Sequence, residues 1–140
     1  MTRKQIEAIF KRREKAHNDH DVESLMIDYA DDCVVDSPTG GTHNGPATIK
    51  KVIQTWFNAF PDLRTETDSL NIDGNHVTWA VTVQGTDTGS FLGLPATGKP
   101  FRIPIVFLYE FKGRQIIRER RIYDFTGLLV QVGLLKAKPI

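Results

Sequence analysis

The hydrophobic period of this chain changes once, at Leu63, and that change limits the folds open to it. Before Leu63 apolar residues recur at helical spacing; after it they alternate. Thr2 and Gln5 make a capping-box pattern ahead of Ile6, Ile9, Phe10 and Ala16, which predicts a first helix of about four turns. Asn18-Asp19-His20 interrupts it. Asp21 can cap a second helix, where Val22, Leu25, Met26 and Tyr29 form one apolar stripe. Cys33 to Asp36 reads as a short strand, stopped by Pro38 and Gly40-Gly41. A third helix starts at Gly45-Pro46, because proline in a first turn gives up an N–H that has no partner there anyway. Ile49, Val52, Ile53, Trp56, Phe57 and Phe60 give it a broad apolar face, and Pro61 ends it. A face this wide and aromatic belongs to a core or to a pocket wall.

Beyond Leu63 the elements are strands. Asp73-Gly74 signals a tight hairpin. Val77, Trp79, Val81 and Val83 point one way after it, and Thr78, Ala80, Thr82, Gln84 and Thr86 the other. A glycine-rich loop from Gly85 to Gly98 carries Phe91, Leu92 and Leu94. Phe101, Ile103, Ile105, Phe107 and Tyr109 form the next apolar strand face. Lys112-Gly113 turns into a last strand, Gln115 to Tyr123, and Thr126 opens a short apolar helix that Gly133 can end. Three helices followed by an antiparallel sheet define an α+β domain, here a single one over residues 1–140. Strands this long would curve around the third helix, with their glycines permitting the bend, and would enclose an apolar pocket.

Composition excludes several functions. A chain of 140 residues suits one core. A net charge of +1 gives no overall field for nucleic acid or an anionic membrane. The local basic run Lys112, Arg114, Arg118, Arg120 and Arg121 lacks the aromatic platform that binds bases. No apolar run reaches the roughly 20 residues of a membrane span, and Met1 to Lys15 lacks the apolar stretch of a secretion signal. The lone Cys33 forbids an internal disulfide and suits a reducing cytoplasm. Beside Val34 and Val35 it reads as a buried, inert thiol. His17, His20, His43 and His76 lack metal-ligand spacing, and no phosphate-binding glycine loop precedes a helix. No metal and no cofactor are expected.

Two stretches carry a resemblance. Gln84-Gly85-Thr86-Asp87-Thr88-Gly89-Ser90-Phe91-Leu92-Gly93-Leu94-Pro95-Ala96-Thr97-Gly98-Lys99 is one. The other runs from Gly113 through Arg118-Glu119-Arg120-Arg121-Ile122-Tyr123-Asp124 to Gly127-Leu128-Leu129 and Gly133. Both resemble the SnoaL-like polyketide cyclase branch of the NTF2-like superfamily. The resemblance implies a conical fold, three helices packed in a curved antiparallel sheet over an apolar pocket. It also implies cofactor-free chemistry, in polyketide members an intramolecular aldol condensation. The acid/base of that family is an aspartate at the end of the last strand, before the Gly-Leu-Leu run, which is Asp124 here. Asp87 stands where the family often has histidine. Ala30 to Pro38 resembles the ketosteroid isomerase stretch that holds a catalytic base, but Ser37 occupies the position before the proline, and Arg13 falls near that family's oxyanion-binding tyrosine. The superfamily further suggests a homodimer.

Abstraction of a proton beside a carbonyl needs a base raised toward its working pH, which an apolar pocket supplies by desolvation. Asp124, flanked by Tyr123 and Phe125, is the candidate general acid/base. A developing enolate also needs donors: Gln84, Tyr123, His43 and Arg120 are the candidates, with Asp87, Trp56 and Phe60 as further pocket residues. Asp124 can instead cap the last helix, a role for which Thr126 competes. On a regular last strand it shares a face with Arg118 and Arg120. The expected function is a cofactor-free cyclase or isomerase acting on a small apolar carbonyl compound. The alternatives are a non-catalytic binding module in the same pocket and epoxide hydrolysis by Asp87, Asp124 and Arg120.

Overall fold

The first helix begins as its capping box dictates. In the computed structural model, which describes residues 1–137, Thr2 Oγ1 accepts from the Gln5 N–H and the Gln5 side chain accepts from the Thr2 N–H. Helix α1 spans Arg3–Asp19 and stops at His20, whose left-handed backbone closes it. Helix α2, Val22–Met26, starts under the Asp21 carboxylate, which accepts from the Ser24 N–H at 3.1 Å. Strand β1 (Tyr29–Ser37) is longer than Cys33 to Asp36 alone predicts, and the glycine-rich segment after it forms a short edge strand, β2 (Gly41–Asn44). Helix α3 covers Pro46–Ala59 with proline in its first turn. Strands β3 (Arg64–Asp73), β4 (His76–Thr86), β5 (Pro100–Lys112) and β6 (Gln115–Tyr123) follow, then helix α4 (Phe125–Gln131).

The sheet runs in the order β2-β1-β6-β5-β4-β3. It is antiparallel except where β1 pairs with β6 in parallel. That pairing carries the chain from its first strand directly to its last, so the sheet is mixed rather than wholly antiparallel. Ladder irregularities fall at Asp68 and Ile117, and in β1 between Tyr29 and Val34, rather than at glycines. The second one matters most, because it sets the parity of β6. From Arg118 onward Glu119, Arg121 and Tyr123 stand opposite Tyr109, Phe107 and Ile105 on the helix-covered face. Arg118, Arg120 and Ile122 face outward opposite Glu110, Leu108 and Val106.

Helices α1 and α3 lie over the inner face. Its core includes Phe10, Phe57, Trp79, Phe107 and Phe111, with edge-to-face pairs such as Phe10–Trp79 at 5.3 Å between ring centres. Such pairs add about 0.5–1.5 kcal/mol each beyond the area they bury. A second aromatic group, Trp56, Phe60, Phe91, Phe101, Tyr123 and Phe125, packs where α3 meets the loop after β4 and the start of α4. No helix is long and apolar enough to cross a membrane among the described residues.

Candidate functional site

An apolar cavity of about 50 Å³ lies between the two helices and the inner sheet face. Ile53, Trp56 and Phe57 line it from α3, Val83, Ile105 and Phe107 from the sheet, and Leu63 and Thr65 from the turn and strand between them. Besides Thr65, three polar side chains join them: His17 from α1, and Arg121 and Tyr123 from β6. The room suffices for a few atoms. A ring-sized ligand must move the indole of Trp56 or the phenol of Tyr123, whose rings meet edge to face at 5.4 Å. Tyr123 is held in turn by Thr39, hydroxyl to hydroxyl at 3.0 Å.

Arg121 ends a buried polar chain. Its Nε donates to Glu119 Oε2 at 2.5 Å, and the Tyr29 hydroxyl donates to Glu119 Oε1 at 2.5 Å. Arg13 donates to the Tyr29 hydroxyl at 3.0 Å, to Asp28 Oδ2 at 2.8 Å and to the Leu25 carbonyl at 3.1 Å. Arg12 closes the far end on the other Asp28 oxygen. Buried charges persist only when paired and hydrogen-bonded, and each of these carboxylates meets both conditions. Burial opposes the charge on Glu119, but Arg121 and Arg13 outweigh it and hold its pKa below the usual carboxylate range. Burial likewise opposes the charge on Arg121, and the Glu119 carboxylate more than offsets it. The Arg121 guanidinium lies 5.9 Å from the centre of the Phe107 ring.

His17 shares that ring, at 6.3 Å, and stands edge-on to Phe57 and Trp79. Neither ring nitrogen has a hydrogen-bond partner among the described residues. Burial, then the charges of Arg13 and Arg121 and the nearby His20, push its pKa down to about 3, so the imidazole is neutral near pH 7. The cavity floor thus combines a fixed cation with a neutral proton acceptor.

The residues expected from sequence separate. Trp56 and Tyr123 line the cavity. Phe60 is wholly buried behind them, against Trp56, Phe91 and Phe101. Gln84 and Arg120 face the other side of the sheet, each in an open groove, because even-numbered positions of β4, and of β6 from Arg118 onward, point outward. His43 sits on edge strand β2, with Nε2 3.5 Å from Ser37 Oγ. Asp87 is buried in the loop after β4, where one oxygen accepts from the Thr97 N–H and hydroxyl, both at 3.2 Å, and the loop closes through Asp87–Lys99 and Gly98–Asp87 backbone bonds. Asp124 is exposed and caps α4, accepting from the Gly127 N–H at 2.8 Å; Thr126 does not take the cap. A Cβ on Gly127 would lie 2.2 Å from Asp124 Oδ2, so glycine is needed for the carboxylate to reach this position. Arg118 and Arg120 face outward on β6, and Asp124 lies just past the strand's last paired residue, Tyr123. No hydrogen bond or ion pair joins Asp87, Asp124 and Arg120 among the described residues.

His17, Glu119 and Arg121 escape a reading based on apolar spacing. A signal exists for the first: Arg13 and His17 continue the stripe of Ile6 and Phe10 at i+3 and i+4 steps, on the buried face of α1.

A family model described as SnoaL-like polyketide cyclase matches residues 7–132. None of the curated proteins matches the chain significantly. Among solved structures, AclR from Streptomyces galilaeus superposes with a TM-score of 0.86 at 24% identity, over 99% of this chain and 87% of AclR. A protein of ketosteroid isomerase-like fold from Catenulispora acidiphila, in complex with trimethylamine, gives 0.76 at 20% identity, over 89% and 92%. TerC, co-crystallised with polyporic acid, gives 0.73 at 16% identity, over 90% and 96%.

Proposed function

We propose a function from one premise: the chain belongs to the SnoaL-like polyketide cyclase family. In this reading it is a cofactor-free cyclase or isomerase acting on a small, planar, apolar carbonyl compound. The observation that carries it is the apolar cavity whose only charged lining group among the described residues is the Arg121 guanidinium. Apolar walls select the body of the ligand, and a fixed donor selects an oxygen on it. The small organic molecules bound to the Catenulispora protein and to TerC support a small-molecule ligand.

Asp124 is the proposed acid/base. It follows Tyr123, which lines the cavity, and so stands at the end of the strand that forms one wall. A substrate projecting past Trp56 and Tyr123 would cover it, and desolvation would raise its basicity. The carboxylate then removes a proton from the carbon beside a carbonyl. The C–H electron pair moves into the enolate, whose oxygen charge donors stabilise. In a cyclase the enolate carbon attacks a second carbonyl of the same molecule, and the protonated Asp124 returns its proton to the new alkoxide. To test this, turnover of a panel of planar β-dicarbonyl compounds would be followed by mass spectrometry. Asp124→Asn should keep the fold and lose turnover; retained turnover refutes the role.

The exposure of Asp124 and its cap to Gly127 favour one second reading, a binding module without chemistry. It predicts ligand-induced thermal stabilisation of the wild-type protein with no product. A homodimer through the outer sheet face also belongs to the proposal, since Leu108 and Ile122 are 36% and 45% exposed there. A monomer by light scattering would refute that part.

A further inference from the structure

The cavity floor holds donors that the fold does not use. Arg121 commits its Nε to Glu119, while the N–H bonds of both Nη groups have no acceptor among the described residues. They are not sealed in protein either. Among the described residues the buried side-chain atoms that lack partners are Arg13 Nε and Asp87 Oδ1, whereas Arg121 lines the cavity with 11% of its side-chain surface open. Unfilled donors on a guanidinium in an apolar site bind water until a better acceptor displaces it.

We infer that this floor binds the ionised oxygen of an acidic enol or phenol, with Arg121 holding the oxygen and His17 taking its proton. The O–H bond breaks, its electron pair stays on oxygen, and an N–H bond forms on His17. Two observations select this ligand class. Trp56, Phe57 and Phe107 would offer aromatic walls to a flat apolar body once Trp56 or Tyr123 swings aside to admit it. The Glu119 carboxylate already balances Arg121 at 2.5 Å, so the floor offers directed donors with little net charge. That suits a delocalised anion. A carboxylate or phosphate concentrates its charge and would meet repulsion from Glu119. Of the charged or titratable groups around His17, Arg13 comes from its own helix, His20 from just beyond it and Arg121 from β6. Negative charge on the ligand oxygen cancels the repulsion from Arg121 and lets His17 accept the proton. Glu119 acts as a positioning residue, fixing the guanidinium through Nε so that Nη faces the cavity.

The inference rests on the proposal that the cavity is the ligand site, but on neither turnover nor Asp124. Its test therefore reads binding and ionisation. The probes are 4-nitrophenol, its methyl ether 4-nitroanisole and 4-nitrobenzoate, three single rings of similar outline. Wild-type protein should bind 4-nitrophenol at least about tenfold more tightly than the other two, and the bound probe should show the phenolate band at a pH where the free probe is mainly protonated. Arg121→Gln alone strands a buried carboxylate, so it is paired with Glu119→Gln. The double variant should lose the phenolate band and the preference over 4-nitroanisole. Arg121→Lys keeps the charge beside Glu119 but loses the paired Nη groups, and should weaken 4-nitrophenol binding by about fivefold or more. His17→Gln should lower the phenolate share of the bound probe. Equal binding of the three probes, binding of none, tighter binding of the benzoate, or a full phenolate band in the double variant overturns the assignment. An unchanged phenolate share in His17→Gln overturns the proton transfer.

Discussion

Glu119 and Asp124 are carboxylates on and just beyond one strand, and they live in different solvents. Glu119 is 1% exposed and bonded to Arg121 and Tyr29. Asp124 is exposed and bonded to one backbone N–H. The irregularity at Ile117 and the alternation after it produce this contrast: odd positions enter the cavity side, even ones leave it. The interior set is expensive to dismantle and chemically preorganised. The exposed residue is cheap to replace and open to solvent. Predictions that separate stability from chemistry at the two places sharpen or break the comparison.

The largest effect is expected at the root of the interior set. Arg13→Ala removes a guanidinium that bonds Asp28, Tyr29 and Leu25. It should cost about 3–5 kcal/mol, the usual penalty for leaving a buried charge without its partner, measured by denaturant unfolding. A loss near that of a surface mutation would show that the chain of bonds contributes little.

The pH dependence comes next. His17 has its folded pKa depressed to about 3 from 6.5. Below pH 6.5 the unfolded chain takes a proton that the folded chain refuses, so stability falls as pH falls through that window. The slope approaches about 1.4 kcal/mol per pH unit at its limit. Between pH 6.5 and pH 5, above most carboxylate titration, unfolding free energies of wild type should decline and those of His17→Gln should stay flatter. Equal slopes would place His17 in water.

At the rim the effects are smaller. Asp124→Ala and Gly127→Ala should each cost about 1 kcal/mol, because both remove the cap of α4. Asp124→Asn should cost only a few tenths, since asparagine caps nearly as well. Thermal unfolding of these variants beside their turnover separates cap from acid/base. If Asp124→Asn loses turnover at unchanged stability, the proposed chemistry stands.

Much of the fold is legible because short-range signals and tertiary packing agree. The Thr2/Gln5 box, Pro46, the Asp73-Gly74 turn and the alternation of β4 and β5 all appear where their spacing puts them. The parallel β1–β6 pairing is not legible, since nothing local in either strand specifies a partner so distant in sequence. The site divides along the same line. Trp56 and Tyr123 belong to patterned elements and line the cavity. Arg121 is missed because it sits in a run of arginines, and only the irregularity at Ile117 decides which one turns inward. His17 is missed because a histidine at a core position looks like any polar residue near a helix end. Asp124 stands before Gly127-Leu128-Leu129, and that place makes it the helix cap.

The central claim is that the inner face of β6, at Arg121, receives the ligand. A crystal structure of the protein with bound 4-nitrophenol tests it most directly. The account predicts the probe's phenolic oxygen about 3 Å from an Arg121 Nη, at hydrogen-bond distance, with its ring between Trp56 and Phe107. A probe found instead in the outer groove beside Arg120, or in the cavity with its oxygen turned away from Arg121, would contradict it.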